Sequence, residues 1–193
     1  AGYTQEDVRA LARILTGWSI ARPQNEADPG AFHFYAPAHE PGSKLLLGRR
    51  FAEGGADEGE AALRFLAGHP ATARHVAGKL ACHFIADDPP AAAVDRLAKL
   101  LLDTDGDLGR IARALADMPE VWATPFAKVR TPQDYVVAAL RAVGNRSDDA
   151  QPVQWLNQLG QPPCGAPSPA GWPDHAADWI NPEAAVHRVE WST

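Results

Sequence analysis

The sequence predicts an all-α fold, an irregular bundle of about seven to eight helices with one β-hairpin inserted at about residues 31–48. Three observations lead to this prediction. Apolar residues recur at the spacing of a helix in most segments after residue 57. Helix-capping residues and Pro open several of these segments. Two short runs, residues 32–35 and 44–47, are instead patterned as strands.

The first helix is predicted over about residues 4–16. Thr4 and Asp7 have the capping-box spacing, in which each side chain bonds the backbone N–H of the other residue. Gly17 lies where a C-terminal cap is needed. One apolar stripe follows the cap at helical spacing: Val8, Leu11, Ala12 and Leu15.

The hairpin is predicted to pair residues 32–35 with residues 44–47 and to carry His39 and Glu40 in its loop. An isolated two-stranded ribbon is marginal in water. We therefore expect Phe32 and Phe34 to anchor it on the helices, so that the ribbon serves as a rigid arm.

Further helices are predicted along the rest of the chain. They lie around residues 62–66, from Pro70 to about 85, around 94–101, after Asp107, after the Thr131-Pro132 cap, at about 153–159 and at about 182–190. Residues 161–175 contain five Pro and two Gly, which forbid helix and sheet. The Trp172 within this stretch indicates an ordered loop that packs on the protein.

Composition bounds the function classes. The 193 residues carry a net charge of −6, which disfavours a nucleic-acid partner. No apolar run approaches the length that spans a bilayer. Cys82 and Cys164 form no metal-binding pair, and both a single disulfide and two free thiols stay open. No motif implies a cofactor, since GxSxG, GxGxxG, P-loop and HExxH patterns are all absent.

The first candidate site is the pair His39 and Glu40 with Lys44. An imidazole beside a carboxylate can act as acid and base or supply two metal ligands. A metal would need a third ligand, for which His33 and His69 are both candidates. The alternative is structural, with His39 bonded to loop backbone and Glu40 in solvent.

The second candidate lies on the predicted helix after Pro70, where one face carries His75, Lys79, Cys82 and His83. An exposed or interface-facing stripe is the favoured interpretation of that face over a catalytic Cys–His pair. His69 precedes the helix, and a capping role is favoured there over anion binding.

The third candidate is the segment 171–179. Asp174 lies where a short helix could begin, so capping is its structural alternative. Trp172 and Trp179 could form an aromatic wall for a ligand, although packing is the commoner role of such residues.

Five segments, in order along nearly the whole chain, resemble the bacterial family catalogued as domain of unknown function 1800: YTQEDVRALARILTGW, FHFYAPAHEPGSKLLLG, HPATARHVAGKLACHFIADDPP, KVRTPQDYVVAALRAVG and PSPAGWPDHAADWINP. His39, Lys44, Lys79 and Arg188 match the family pattern, whereas His75, Cys82 and His83 do not. The length and the helical pattern predict that residues 1–193 form a single helical domain. The resemblance implies that this domain is the C-terminal part of a longer protein. It also implies an exported or periplasmic setting and a sulfatase-like partner protein, but no activity.

Two function classes follow. The first is a binding or scaffolding module of the cell envelope, with Trp172, Trp179 and Arg188 as binding residues. The second is an enzyme, including a metal-dependent hydrolase, with catalytic candidates His39, Glu40, Lys44, His69, Lys79 and Asp174. Its metal candidates are His39, Glu40 and His69.

Overall fold

The computed structural model describes residues 2–21, 28–124, 126–144 and 151–192, and these residues are mostly helical, which confirms the predicted class. The helices are α1 Gln5–Ile14, α2 Ala56–Ala67, α3 Pro70–Phe84, α4 Ala91–Asp103, α5 Leu108–Asp117, α6 Pro119–Ala123, α7 Pro132–Ala142, α8 Gln151–Gln158, α9 Ala176–Trp179 and α10 Pro182–Ser192. The strands are β1 Trp18–Ile20, β2 Phe32–Phe34, β3 Lys44–Leu46 and β4 Arg49–Phe51.

The helix starts follow the predicted capping chemistry. At α1, the Thr4 hydroxyl accepts from the Asp7 N–H and the Asp7 carboxylate accepts from the Thr4 N–H, a complete capping box. At α7, the Thr131 hydroxyl accepts from the N–H of Asp134, and Pro132 occupies the first turn. These ends form from local sequence alone, which is why they were predictable.

The predicted pairing of residues 32–35 with residues 44–47 is wrong, because each strand has another partner. β1 and β2 pair antiparallel, with Trp18 opposite Phe34 and Ile20 opposite Phe32. β3 and β4 pair antiparallel, with Lys44 opposite Phe51. Two small hairpins therefore replace the single one.

The turn between β3 and β4 explains the second hairpin. Its two central residues, Leu47 and Gly48, have φ values of 49° and 75°. Positive φ at both central positions is the requirement of a type I′ turn, whose twist matches that of paired strands. Gly adopts this conformation freely and Leu does not, so the Leu47-Gly48 pair was not recognised as a turn.

The anchoring of the strand by both Phe rings holds for one ring only. Phe34 is half-buried beside His39, with the ring centroids 5.4 Å apart. Phe32 is 57% exposed and meets the edge of Trp18 at 5.0 Å. His39 and Glu40 do not occupy a hairpin tip, since they follow a 3-10 turn at Ala36–Ala38.

The chain divides into two compact units. Unit 1 comprises Ala1–His75 and Ala98–Leu108, and unit 2 comprises Val76–Leu97 and Gly109–Thr193. The assignment of residues 1–193 to one domain stays a prediction. In unit 1, α1 lies against β3 and α2, and the centre of its core consists of Ala10, Ile14, Leu46, Phe51 and Ala62.

Unit 2 buries apolar residues from several helices and orders its Pro-rich segment. The buried set includes Ala77, Ala81, Ile85, Ala93, Leu97, Ile111, Leu115, Met118, Val136, Leu159 and Trp179. α7 lies against α8. Residues 161–175 form neither helix nor strand, as the Pro content predicts, and the Trp172 ring lies 5.8 Å from the Trp179 ring.

Candidate functional site

A buried polar cluster, the Glu58 cluster, lies in unit 1 and consists of Thr16, His39, Lys44 and Glu58. The Lys44 ammonium donates to Glu58 Oε2 at 3.1 Å. Nε2 of His39 lies 3.2 Å from the same oxygen, and its Nδ1 lies 2.9 Å from the carbonyl of Thr16. Because a carbonyl only accepts, the hydrogen on Nδ1 is fixed there.

Several elements position these groups. α1 ends just before Thr16, β3 carries Lys44, and the first turns of α2 carry Glu58. The Lys44 ammonium also donates to the carbonyl of Glu40 at 2.5 Å. The Glu40 side chain points elsewhere and forms an exposed ion pair with Arg13. Glu40 therefore contributes its backbone to the cluster and not its carboxylate.

The Glu58 cluster is almost closed to solvent. The side-chain exposures of His39, Lys44 and Glu58 are 7%, 5% and 0%. Glu58 Oε1 and the indole Nε1 of Trp18 are buried without a hydrogen-bond partner among the described residues. We expect the buried pair of Lys44 and Glu58 to favour one arrangement of β3 and α2. Because these side chains are closed to solvent, the Glu58 cluster differs from an open reaction site.

His69 stands apart from these contacts. Its Nδ1 accepts from the backbone N–H of Ala71 at 3.1 Å, at the start of α3. Its ring meets the edge of Phe65 at 6.2 Å. The contact with Ala71 is the one expected of His69 as the cap of α3.

The predicted metal ligands are His39, Glu40 and His69. In the structure, the three side chains make separate contacts. His39 bonds Thr16 and Glu58, Glu40 pairs with Arg13, and His69 caps α3. Within residues 2–21, 28–124, 126–144 and 151–192, no group of three His, Cys, Asp or Glu side chains is placed to hold a metal ion.

A second cluster, the Asp174 cluster, lies in unit 2 and consists of Lys79, His83, Asp87, Lys128 and Asp174. Lys79 donates to Asp174 Oδ2 at 2.7 Å. His83 Nδ1 lies 3.0 Å from Asp174 Oδ1. Two candidates from separate segments, Lys79 on α3 and Asp174 in the Pro-rich loop, are thus brought into contact.

Asp87 and Lys128 fix the loop that carries Asp174. The Lys128 ammonium bonds Asp87 Oδ1 and donates to the carbonyl of Asp174 at 2.5 Å. Asp87 Oδ2 accepts from the N–H of Ala176 at 2.6 Å, at the start of α9. Asp174 itself caps no helix, because its carboxylate is taken by Lys79 and His83.

The electrostatics of the cluster keep both acids ionised. Burial acts to raise the pKa of Asp174, but the hydrogen bonds from Lys79 and His83 outweigh it, so this pKa lies below its usual value. The hydrogen bond from Lys128 lowers the pKa of Asp87. The hydrogen bond to Asp174 raises the pKa of Lys79.

Cys82 is poorly suited to nucleophilic chemistry. Burial raises the pKa of its thiol, and its Sγ donates to the carbonyl of Asp87 at 3.6 Å. Cys82 and Cys164 are both free thiols. The interpretation of the α3 face as a Cys–His catalytic pair therefore gains no support.

The three predicted binding residues have internal partners. Trp179 is buried and its indole N–H donates to the carbonyl of Pro173 at 2.9 Å. Trp172 packs on Trp179. Arg188 donates to the carbonyl of Arg130 at 2.9 Å and lies over the ring of Tyr135. Their geometry is that of packing within unit 2.

A cleft and a groove open on unit 2. The cleft has a volume of about 220 Å³, and it is lined by His83, Lys128, Val129, Arg130, Thr131, Asp134 and Asp174. The groove, which we name the Trp122 groove, has a volume of about 370 Å³, and it is lined by Leu80, Phe84, Ile111, Ala112, Leu115, Ala116, Val121 and Trp122.

These features define a mostly helical protein with one closed and one partly open polar cluster. In the described part of the chain, no helix has the length and apolarity needed to cross a membrane. The family described as "Protein of unknown function (DUF1800)" matches residues 1–193, and the chain belongs to this family. No curated protein and no solved structure matches it.

Proposed function

We propose that the chain is a protein-binding module of the bacterial cell envelope and that the Trp122 groove receives the partner. The observation that carries this proposal is the state of Trp122. Its ring is 70% exposed, while its indole N–H donates to the carbonyl of Ala116 at 2.8 Å. The polar end of the side chain is satisfied, so the ring presents a fixed apolar surface.

The chemistry of the groove supports a protein partner. Its lining residues come from α3, α5 and α6 and are all apolar. Phe84 on the groove is 52% exposed, and Phe126, just beyond α6, is exposed completely. An exposed apolar groove with a fixed aromatic residue is typical of protein-interaction sites.

The occupant that fits this groove is an amphipathic helix of the partner. A groove between helices accepts a row of apolar side chains at helical spacing. Arg113 follows the groove residue Ala112 in α5 and is exposed, and no ion pair joins it to another described residue. An acidic residue flanking the apolar row of the partner would pair with it.

The family resemblance supports the setting and the partner. It suggests an exported protein and a sulfatase-like protein as the binding partner. The net charge of −6 supports a protein partner over nucleic acid.

The test measures binding of the full chain to a purified sulfatase-like protein of the kind that the family resemblance suggests, by biolayer interferometry. Trp122→Ala should weaken binding about 30-fold, since loss of a central aromatic anchor costs about 2 kcal/mol. Val143→Ala removes a 77% exposed apolar side chain outside the groove and serves as the control. Equal affinity of wild type and Trp122→Ala for the partner would exclude the groove as the binding site. Self-association of the chain through the groove, detected by light scattering, would exclude it as well.

A further inference from the structure

We infer that His83 and Asp174 form a general-base dyad for the hydrolysis of small esters that carry negative charge, with Arg130 binding the anionic group. This inference goes beyond the proposed binding function and does not rest on it. It begins from the contact between His83 Nδ1 and Asp174 Oδ1 at 3.0 Å.

The first step concerns the direction of the imidazole. Asp174 is ionised and accepts at Oδ1, so in the neutral imidazole of His83 the hydrogen lies on Nδ1 and the lone pair lies on Nε2. No described residue bonds Nε2, and the His83 side chain is 48% exposed. A base oriented by a carboxylate through its far nitrogen is an arrangement that supports general-base catalysis.

The second step concerns the rigidity of the carboxylate. Lys79 binds its other oxygen, Oδ2, and Lys128 binds the backbone carbonyl of the same residue. The Asp174 side chain is only 16% exposed. The orientation of His83 is therefore set by an acid that is itself held at two further points. An ordinary surface ion pair lacks this support.

The third step concerns the substrate. His83 lines the 220 Å³ cleft together with Lys128, Arg130 and Thr131. The volume suits a group of a few heavy atoms. Lys128 is engaged by Asp87, whereas the Arg130 guanidinium has no hydrogen bond or ion pair with another described residue. Arg130 is thus free to bind a carboxylate on the substrate.

The fourth step identifies the nucleophile as water. Thr131 donates its hydroxyl to Asp134 Oδ2, and burial keeps the neighbouring Cys82 protonated. His83 Nε2 takes a proton from water while the water oxygen bonds to the ester carbonyl carbon. The bond from that carbon to the alkoxide then breaks, and the alkoxide takes the proton from His83. The products are a carboxylic acid and an alcohol, and the imidazole is regenerated.

The test uses the full chain with two esters, neutral 4-nitrophenyl acetate and the anionic mono-4-nitrophenyl ester of adipic acid, after subtraction of the rate in buffer. His83→Gln should lower kcat/KM for the adipate ester about 100-fold, within the range of general-base catalysis. Arg130→Gln should raise KM for the adipate ester much more than KM for the acetate. Asp174→Asn, which alters a positioning residue, should lower kcat with little change in KM.

Two controls separate catalysis from background imidazole reactivity. His75→Gln removes an exposed His from the same helix and should leave both rates unchanged. His83→Ala should regain activity when free imidazole is added, above the rate that the same imidazole concentration gives without protein, which loss of fold would not allow. A wild-type rate equal to that of buffer, a full rate in His83→Gln, or an equal loss in His75→Gln would overturn the inference.

Discussion

Replacing Lys44 by Met removes one charge from the Glu58 cluster and should destabilise the protein strongly. The ammonium of Lys44 is 3.1 Å from Glu58 Oε2 and 2.5 Å from the carbonyl of Glu40. Met fills a similar volume but leaves the Glu58 carboxylate, with a side chain 0% exposed, to His39 alone. An uncompensated buried charge is the expected source of the loss.

The distance between the Lys44 ammonium and the Glu58 carboxylate sets the magnitude of the expected loss of stability. At an effective dielectric constant of about 20, charges this far apart attract by about 5 kcal/mol. Breaking a buried pair by removal of one partner typically costs about 3–5 kcal/mol. For a chain of this size, each kcal/mol lowers Tm by about 2–4 °C. We therefore expect Lys44→Met to melt about 6–20 °C below the wild type.

The assay is urea unfolding followed by far-ultraviolet circular dichroism. The double variant Lys44→Met/Glu58→Leu removes both charges and should recover at least half of the lost free energy of unfolding. The control is Lys99→Met, since Lys99 forms an exposed ion pair with Asp103 on α4 and should cost under about 0.5 kcal/mol. The reasoning fails if Lys44→Met costs no more than Lys99→Met, or if the double variant costs the sum of the single ones.

Two further predictions concern packing and acid stability. A Cβ on Gly59 would lie 2.5 Å from the Trp18 ring, so Gly59→Ala should lower the free energy of unfolding, measured in denaturant, by about 1–3 kcal/mol. A Cβ on Gly78 would meet open space, so Gly78→Ala should raise it by about 0.5–1 kcal/mol. A change of the same sign in both variants would contradict this prediction. The pKa of Asp87 is lowered in the folded protein, so the stability it confers is complete above about pH 4 and is lost as the pH falls through its folded value. The difference in unfolding free energy between wild type and Lys128→Met should therefore shrink as the pH falls below about 4, and a constant difference would count against the ion pair.

The helices could be predicted from the sequence because their signals are local. The capping box at Thr4 and the Thr-Pro cap at Thr131 need no tertiary contact to be read. The strand pairing could not, because residues 32–35 have no local feature that selects β1 over β3. The Leu47-Gly48 turn offers a signal in Gly48, but a Leu at positive φ masks it.

The candidate sites were predictable by residue type and not by partner. His39, Lys44, Lys79 and Asp174 stand out as ionisable groups near loops or on a mixed helix face. Glu58 was missed, since an acid in the first turn of a helix normally points to solvent. Lys128 was missed for a similar reason, because its contacts to Asp87 and Asp174 join residues about 40 positions apart.

The two clusters differ in one property that decides their roles. Each holds an acid between a Lys and a His side chain, but Glu58 is sealed while the neighbour of Asp174, His83, is half exposed beside a cleft. A sealed cluster lowers the free energy of one arrangement of α1, β3 and α2, and no substrate can reach it. In the Asp174 cluster, one contact of the acid is with the exposed imidazole of His83, where pairing adds little stability. Chemistry in this protein is therefore to be sought at His83 and Asp174, and stability at Lys44 and Glu58.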